Sequence, residues 1–407
     1  MSFGKRIVIG TEAFKIGGFS THTVSFGQAF RAQGHEVHVL ITEPFGGLYP
    51  DFKDKLDSVV NLRRGYETRN LHLKRVVRTI TALKPDVLIN NAQPFVQAAF
   101  PYLSDKIVKI SVVHNVMPEE LTMGLANDQW CDWVVAVSDN IQAALKSNTT
   151  ESHKIKTIPV GVKPVAHLKR QNGNLAPLRL IYVGRFWPQK NIPGLLAVLD
   201  ALHHARVAFT ITMVGDGPDL PAAREHVSQS DYRQQVQFLG ARRPEEVGNI
   251  LDNHDFCLMT SHFEGTPHVV LEAMAHGLVM LASRIPGSTD RIITHGVDGF
   301  LCDRNSPQEY VALLKRLSQS QGEFVSVSRA AQSTIQSRYS VPALAGQYLT
   351  LFDQKNNLVS SHQKPAAPSS PKVCQELLPL CPGFFKQSKH RLGDLWRQWA
   401  KNQHPAI

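Results

Sequence analysis

The first part of the chain alternates short apolar runs with segments of helical periodicity. The run KRIVIG is followed by a glycine-containing turn, a helical pattern near residues 20–33, Gly34 and a second run, EVHVLI. Further apolar runs lie at 86–90, 107–113 and 133–137. Short buried runs separated by helical patterns are typical of strand–helix–strand units. They predict an open, mostly parallel sheet with helices on both faces.

The same alternation starts again after residue 177. Residues 162–177 contain prolines, a glycine and asparagines without apolar periodicity, which is typical of a linker. Five apolar runs follow, with helical patterns between them, at 178–184, 208–215, 235–240, 255–260 and 279–283. We therefore predict two doubly wound α/β domains with a cleft between them, a favoured place for a ligand. The predicted division is a first domain over 1–161, the linker 162–177, a second domain over 178–340, a helix at 341–354 and a tail over 355–407.

The stretch FEGTPHVVLEAMAHG, residues 263–277, predicts a helix by its flanking residues. Thr266 suits the cap, Pro267 the first helical position and Gly277 the left-handed residue after the end, which gives a helix of about ten residues. The N-terminus of a helix carries partial positive charge and free N–H groups, and these attract anions or sugar hydroxyls.

Two acidic residues flank that helix start, Glu264 in the loop before it and Glu272 more than one turn inside it. Gly265 lets a ligand approach the backbone closely, so the arrangement suits a clamp for a polar molecule. The alternative is an ordinary strand–loop–helix unit whose two acids are solvated.

The segment GRFWPQKN, residues 184–191, leaves a predicted strand and enters a helix. Arg185 offers a two-pronged contact and Lys190 a compact charge, so together they suit a diphosphate. The alternative is that both cations are ordinary surface residues. The N-terminus of the helix at 263–277 is expected at the same edge of the sheet, which favours the diphosphate.

Two features of the first domain lie where ligands of such sheets bind. The turn KIGGFSTH (15–22) follows the first strand and lacks the GxGxxG order, but Gly17 and Gly18 allow the backbone to approach a phosphate or sugar. His114 ends another predicted strand, where its imidazole can contact a ligand or assist proton movement. A structural hydrogen bond is the alternative role for this histidine.

Composition narrows the class of protein. With 407 residues, 43% of them hydrophobic and 19% charged, the chain is long and apolar enough for two folded domains. Five scattered cysteines without CxxC spacing indicate neither a disulfide framework nor a zinc site, and favour a reducing cytoplasm. No apolar run approaches the ~18 residues needed to span a bilayer, and the short run IVIG is typical of a strand, not of a signal peptide. The net charge of +10 favours anionic partners: nucleotides, phosphates, an acidic membrane face or nucleic acid.

Two basic segments bear on the partner. The stretch from Arg63 to Arg78 has helical periodicity and a basic face, either simply solvated or a patch for an anionic acceptor or lipid. Past a polar, proline-rich tether at 355–372, the tail places leucines and tryptophans at helical spacing among cations. This suits a membrane interface, or alternatively a helix docked on the protein itself or on a second subunit. Nucleic acid is disfavoured because aromatic and basic residues do not alternate outside the tail.

Together these motifs resemble the family-four glycosyltransferases of the GT-B fold. FEGTPHVVLEAMAHG resembles the family's E-x7-E signature, and GRFWPQKN, GDGP, FLG, the GG turn, VVHN and SRYS fall in the family's order over about residues 5–354. The resemblance implies two facing Rossmann-like domains, a first for the acceptor and a second for a nucleoside-diphosphate sugar. It also implies transfer with retention of anomeric configuration, without a metal or other cofactor.

By matching position, the resemblance implies roles for single residues. Arg185 and Lys190 would bind the donor diphosphate, Glu264 and His114 the sugar, and Glu272 the ribose hydroxyls. Further donor contacts are expected from Gly17, Gly18, Gly184, Gly265, Thr266, Pro267 and His268. The chain departs from the family pattern in PVGV at 159–162, Leu278 and Asp290.

These observations favour a cytoplasmic retaining glycosyltransferase, placed peripherally on the inner face of a membrane and acting in surface-glycan or lipid-linked saccharide synthesis. A GT-B nucleotide-sugar epimerase, a processive polymer synthase and a non-catalytic sugar-nucleotide-binding scaffold remain alternatives.

Overall fold

The structure, a computed structural model, describes most of the chain. The described residues are 4–11, 13–14, 18–42, 46–62, 67–165, 175–354, 368, 372–374 and 377. Some predicted features lie outside them, namely Gly17, Arg63, Arg64, most of the linker and the predicted tail helix.

The first domain is built on one parallel sheet. Within the described residues it has seven strands: β1 Arg6–Thr11, β2 Glu36–Ile41, β3 Ser58–Asn61, β4 Val87–Asn91, β5 Val108–Val113, β6 Trp133–Ala136 and β7 Ile155–Thr157. Their spatial order is β3-β2-β1-β4-β5-β6-β7, so the order reverses between β1 and β4. Ligands of such sheets bind outside the carboxyl ends of the strands at this reversal. The sequence predicted five of these strands and missed β3 and β7.

Helices cover both faces of this sheet. They are α1 Gly18–Ala32, α2 Tyr49–Phe52, α3 Arg69–Leu83, α4 Pro94–Ala99, α5 Pro118–Leu125 and α6 Asp139–Lys146, with 3-10 turns at Lys53–Lys55, Phe100–Tyr102, Asp128–Trp130 and Ser152–Lys154. Helix α3 begins at a cap in which the Thr68 hydroxyl accepts the N–H of Leu71, at 3.3 Å. The predicted basic helix therefore starts at residue 69 and not at Arg63.

The second domain repeats the plan. Its strands are β8 Leu178–Val183, β9 Phe209–Val214, β10 Val236–Gly240, β11 Phe256–Met259, β12 Val279–Ser283 and β13 Phe300–Cys302, all parallel and in the order β10-β9-β8-β11-β12-β13. Its helices are α7 Ile192–His204, α8 Leu220–Ser228, α9 Pro244–Leu251, α10 His268–Ala275, α11 Thr289–Ile292, α12 Pro307–Gln319 and α13 Gln321–Thr334. Short 3-10 turns lie at Pro188–Lys190 and Arg233–Gln235, and a π-helical turn at Ile335–Tyr339. The predicted fold class, two doubly wound parallel α/β domains, is confirmed, and β13 is a sixth strand that the sequence analysis missed.

Burial explains why these runs form central strands. Strands β4 and β5, VLINN and VKISVV, are buried along their whole length because helices cover both faces, and seven of their eleven residues are apolar. The apolar core of the first domain continues without a break into α10 and α9 of the second. The two domains are therefore packed on each other beneath the cleft.

The chain crosses between the domains twice. Next to the linker, the N–H of Val162 donates to the carbonyl of Tyr339 (3.0 Å), and the N–H of Val341 donates back to Val162 (3.1 Å). The final helix, α14 Val341–Gln354, then packs on α1 of the first domain, as the predicted crossover helix requires. Ring contacts join Phe26 to Tyr348, with centroids 5.4 Å apart.

A short segment near the C-terminus also returns to the first domain. The N–H of Lys372 donates to the hydroxyl of Tyr102 (2.9 Å), and the N–H of Val373 donates to the side-chain oxygen of Asn70 (3.2 Å). Leu377 is fully buried there. The sequence predicted a flexible tether at 355–372 followed by a basic tail, and the contact of Lys372 corrects this at the last tether residue, which is held against the first domain. None of the helices in the described part of the chain is long and apolar enough to cross a bilayer.

Candidate active site

The carboxyl ends of the two sheets face each other, and the predicted site residues lie where they meet. The Nδ2 of Asn140, at the start of α6, donates to the carbonyl of Glu264 at 3.1 Å. A Cβ on Gly265 would lie 2.2 Å from the carbonyl oxygen of His114, so the two backbones are in direct contact. Residues that the sequence predicted from separate domains are thus brought together.

The start of α10 differs in detail from the prediction. The helix begins at His268 with Pro267 in the cap position, and no side chain caps it. Thr266 is not the cap, because its hydroxyl donates to the carbonyl of Val137 in the first domain. Gly277 ends the helix in the left-handed conformation, with φ of 74°, as predicted.

The first turn of α10 retains donors for a ligand. Within the described residues, the main-chain N–H groups of His268 and Val269 donate no hydrogen bond. Such groups, together with the positive end of the helix dipole, suit an anion or a hydroxyl.

Lys190 and Glu264 form an ion pair at this helix start. The Nζ of Lys190 lies 2.5 Å from Oε1 of Glu264, and the two side chains are only 13% and 8% exposed. Lys190 ends the 3-10 turn that follows β8, and its carbonyl accepts the hydroxyl of Thr260 at 3.2 Å. The sequence predicted both residues as ligand contacts but not that they bind each other.

Gln189 links this pair to Arg185. Its Nε2 donates to the carbonyl of Phe263 (3.0 Å) and to Oε2 of Glu264 (3.4 Å), while its Oε1 accepts from Arg185 at 3.4 Å. The guanidinium of Arg185 is exposed and lies 5.6 Å from the ring centre of Trp187. Sequence analysis missed Gln189 because only the charges of GRFWPQKN were considered; the signal was a second polar residue in the same turn.

Three imidazoles meet across the cleft: His22 and His114 from the first domain and His268 from the start of α10. The ring of His22, on α1, lies 5.2 Å from that of His114 and 6.4 Å from that of His268. Burial lowers the pKa of His114 to about 3 and, together with the charge of Lys190, the pKa of His268 to about 4. Burial also lowers the pKa of His22, so all three rings are neutral at neutral pH.

His22 was missed by sequence analysis, although it lies in the quoted KIGGFSTH turn. Both of its ring nitrogens are buried without a hydrogen-bond partner. Unpaired buried polar atoms are rare and costly, and at a cleft they are typical of a ligand-contacting group.

A hydrogen-bonded chain fixes the His114 ring. The Nδ2 of Asn91 donates to the hydroxyl of Thr23 at 2.7 Å, so its Oδ1 accepts from Nε2 of His114. The proton of neutral His114 is therefore on Nε2. Asn91 ends β4 at the reversal of strand order, a position that sequence analysis did not single out.

Glu272 lies one turn inside α10 and faces a cleft between the domains. The cleft has a volume of about 220 Å³ and is lined by both domains, including Thr21, Val24, Gln28, Val162, Val247 and His276. Glu272 is half-buried, and burial raises the pKa of its carboxyl to about 7.

Two of the other glycines predicted to contact the donor lie at the start of α1 and at the end of β8. Gly18 is the first residue of α1, whereas Gly17 lies outside the described residues. A Cβ on Gly184 would lie 2.8 Å from the hydroxyl of Tyr182, so this glycine also makes room for a neighbouring side chain. Among the described residues, no group of three or more His, Cys, Asp or Glu side chains is arranged to bind a metal ion. Independence from metal stays a prediction.

Two facing parallel-sheet domains with this site define the GT-B class of glycosyltransferases. The crystal structure of Anabaena Alr3699/HepE in complex with UDP and glucose matches the fold with a TM-score of 0.72, at 18% identity, over 86% of this chain and 100% of that chain. Within this class, residues 16–165 match the model of Glycosyltransferase Family 4, and residues 166–334 match that of Glycosyl transferases group 1. The chain belongs to the family-four glycosyltransferases.

Curated relatives agree with this assignment. The amylovoran biosynthesis glycosyltransferase AmsK of Erwinia amylovora is 28% identical over 46% of this chain, and the match spans about half of AmsK (48%). N-acetyl-alpha-D-glucosaminyl L-malate synthase of Bacillus anthracis is 22% identical over 87% of this chain and the whole length of that enzyme (100%).

Proposed function

We propose that the chain transfers a sugar from a nucleoside diphosphate to an acceptor hydroxyl, with retention of anomeric configuration and without a metal. The observation that carries this proposal is the pairing of Lys190 with Glu264 beside the unpaired N–H groups of α10. One cation, one carboxylate and a helix N-terminus at the same point suit the junction between a sugar and its diphosphate.

The cations stabilise the leaving group. As the bond between the anomeric carbon and the phosphate oxygen breaks, negative charge grows on the diphosphate, and Lys190, Arg185 and the N–H groups of His268 and Val269 stabilise it. The acceptor oxygen bonds to the same carbon from the same face, and its proton passes to the departing phosphate oxygen. When Lys190 moves to the phosphate, the carboxylate of Glu264 becomes available for sugar hydroxyls.

Other groups of the site orient the donor. Glu272 accepts hydrogen bonds from the ribose hydroxyls, from its place one turn inside α10. His114, whose ring is held by Asn91 through Nε2, contacts the sugar from the first domain. Gly17, Gly18, Gly184 and the backbone of 265–268 provide close approach to the donor.

The acceptor class follows from the relatives and not from the cleft. Similarity to AmsK, an amylovoran biosynthesis glycosyltransferase, supports an acceptor in surface-polysaccharide or lipid-linked saccharide synthesis. Work on such an acceptor suits an enzyme in the cytoplasm, placed peripherally on the inner face of the membrane.

A mass-spectrometric screen tests the proposal. The purified chain is incubated with a panel of nucleoside-diphosphate sugars and saccharide or lipid-linked acceptors, with and without EDTA. We expect one donor to release its nucleotide only when acceptor is present, equally with EDTA, and the product to have the donor's anomeric configuration by proton coupling constants. Release without acceptor together with a changed sugar would indicate an epimerase. Donor binding without turnover across the panel would indicate a scaffold.

A further inference from the structure

Two histidine rings, one from each domain, meet across the cleft. His22 lies on α1 of the first domain, and His268 is the first residue of α10 in the second. Their ring centres are 6.4 Å apart, and the ring planes are nearly perpendicular, at 89°. The pair is therefore part of the contact between the domains.

The hydrogen-bonding capacity of this pair is largely unused. Among the described residues, none is a hydrogen-bond partner for either ring nitrogen of His22 or for Nδ1 of His268, and all three atoms are buried. His22 as a whole is only 6% exposed. Buried polar atoms of native proteins nearly always have a partner, so three unpaired ones at the same point indicate a ligand group that pairs with them.

The separation of the rings leaves room for one intervening atom. Two imidazoles that share a direct hydrogen bond have ring centres at most about 5 Å apart, so 6.4 Å is too long for such a bond. A hydroxyl oxygen bonded to a nitrogen of each ring lies about 4 Å from both ring centres, and at a tetrahedral angle this places the centres about 6.5 Å apart. The observed distance fits a single bridging oxygen.

Both rings are neutral, which limits the kind of oxygen that fits. Burial lowers the pKa of His22 and, together with the charge of Lys190, lowers the pKa of His268 to about 4. A neutral imidazole has one N–H donor and one acceptor nitrogen, and a hydroxyl likewise both donates and accepts. An oxyanion only accepts, so it would leave the acceptor nitrogens unpaired and would find no charge on the rings. The pair therefore suits a hydroxyl group.

Neighbouring groups indicate which hydroxyl this is. His268 lies close enough to Lys190, the proposed diphosphate ligand, for that charge to act on its ring. The ring of His22 packs against the rings of Phe26, 4.4 Å away, and His114, 5.2 Å away. The pair thus connects the proposed diphosphate site with the ring that is proposed to contact the sugar.

We infer that His22 and His268 form a specificity-determining pair that binds one hydroxyl of the transferred sugar, with a donor on one ring and an acceptor on the other. The inference rests on the proposed function and adds the class of sugar: one with a free hydroxyl at this position, not a deoxy sugar or a sugar substituted there. Because the rings belong to different domains, the same hydroxyl also links the two domains when the donor is bound.

Calorimetric affinity tests the pair without requiring turnover. The probes are the nucleoside-diphosphate hexoses of the mass-spectrometric screen, each beside analogues that lack one hydroxyl at a time. For the wild type, we expect one analogue to bind about ten- to a hundredfold more weakly than its parent, because it leaves the two rings unpaired. His22→Phe keeps an aromatic ring without nitrogen, so it should bind the parent as weakly as that analogue and no longer distinguish the two. His268→Phe should give the same pattern, and the double variant should lose no more than either single variant.

Further variants distinguish binding from packing. His22→Gln restores a donor and an acceptor and should recover part of the discrimination, which a purely structural role of the ring would not allow. The matched control is His153→Phe in the first domain, where the side chain is 52% exposed, and it should discriminate as the wild type does. In urea unfolding, His22→Phe should be no less stable than the wild type, because it loses no hydrogen bond within the protein.

The outcomes separate the pair from the transfer reaction. The same dependence on each hydroxyl in His22→Phe and the wild type would overturn the inference, even where sugar transfer proceeds. Coupling of His22 to a hydroxyl of the acceptor instead would also overturn it, because the pair would then belong to the other substrate. Hydroxyl-dependent binding without turnover would support the pair and contradict the proposed transfer, and affinity for none of the hexose nucleotides would contradict both.

Discussion

At the scale of single residues, the site is dominated by one buried charge pair. Lys190 and Glu264 are both largely buried and 2.5 Å apart, so each depends on the other for compensation. Arg185, by contrast, is exposed and bonded only weakly through Gln189. The two cations assigned to the diphosphate therefore differ in what they contribute to stability.

Replacing these cations separates catalysis from folding. Arg185→Ala should reduce turnover at least about a hundredfold, the usual cost of losing one transition-state donor, with unchanged unfolding free energy. Lys190→Ala should reduce turnover by a similar factor and also cost about 3–5 kcal/mol, because it leaves Glu264 buried without its partner. Initial rates and urea unfolding measure the two effects.

The control for Lys190 is a double variant. Lys190→Ala with Glu264→Gln removes the uncompensated charge, so stability should return while turnover stays low. Wild-type turnover in Arg185→Ala or in Lys190→Ala would contradict the leaving-group role. Equal stability of Lys190→Ala and the wild type would contradict the mutual dependence of the buried pair.

Glu272 predicts a stability effect that depends on pH. Its pKa in the folded chain is about 7, above the ordinary value of 4.5, because burial disfavours the carboxylate. The folded state thus binds this proton more tightly than the unfolded state, and stability is lost as pH rises from about 4.5 through 7. Relative to Glu272→Gln, the wild type should lose as much as about 3 kcal/mol of unfolding free energy between about pH 5 and 8. The control is Glu225→Gln at an exposed position, whose unfolding free energy should vary with pH as that of the wild type does. The same pH dependence in Glu272→Gln and the wild type would disprove the raised pKa of Glu272.

At the scale of elements, α14 determines whether the first domain is complete. It follows the second domain in sequence but packs on α1, where Phe352 is 3% exposed and its ring centroid lies 5.7 Å from that of Phe30. The indole Nε1 of Trp133 donates to the carbonyl of Leu351 at 3.0 Å. Side chains of α14, from the C-terminal end of the second domain, therefore complete the core of the first domain.

Phe352→Ala tests this dependence. Removing a buried phenylalanine should lower the unfolding free energy by about 3–5 kcal/mol through lost transfer energy and a residual cavity. Gln347→Ala, an exposed position of the same helix, should be neutral or slightly stabilising. Thermal and urea unfolding compare them, and equal stability of the two variants would mean that α14 does not complete the core.

The sequence predicted central elements better than peripheral ones. The strands it missed, β3, β7 and β13, are three or four residues long, and each is an edge strand of its sheet. An edge strand has only one strand neighbour. Strands β3 and β7 are accordingly only partly buried and contain polar residues, whereas β13 is buried and apolar but only three residues long. The predicted cap of α10 was wrong for another reason. The hydroxyl of Thr266 donates to the carbonyl of Val137, a partner 129 residues away that no local sequence pattern indicates.

At the scale of the whole molecule, the two domains are in contact on both sides of the cleft. Asp139 pairs with Arg291 at 2.7 Å on one side, and Asp51 with Arg243 at 3.1 Å on the other. Ion pairs this exposed each contribute at most about 1 kcal/mol. They therefore add little to the stability of the contact between the domains. The contact between Gly265 and His114 leaves no room for a side chain, because a Cβ there would lie 2.2 Å from the carbonyl oxygen.

The contacts between the domains are the part of the site that the sequence did not predict. Strand-end topology placed Arg185, His114 and Glu264 at the right edges of their sheets. It contained no information on how the domains meet, so the unpartnered His22 and the ion pair of Lys190 could not be predicted from it. Such contacts depend on the packing of domains whose residues are far apart in sequence.

Gly265→Ala tests the domain contact itself. The added methyl should push the domains apart at His114 by about 1 Å, and a misplacement of that size can reduce turnover about a hundredfold. Gly346→Ala, in α14 with no atom within 4 Å of its Cβ, is the matched control and should retain full activity. Turnover, nucleotide affinity and the radius of gyration in solution are measured for both.

Affinity then distinguishes the two ways in which Gly265 can act. If its role is to admit the His114 carbonyl, the second domain keeps its nucleotide contacts, so the dissociation constant stays close to wild type while turnover falls. If the Gly265 backbone instead contacts the donor directly, the methyl weakens nucleotide binding as well. Because the backbone of 265–268 is proposed to approach the donor, we expect the second pattern, and an unchanged dissociation constant would contradict that contact.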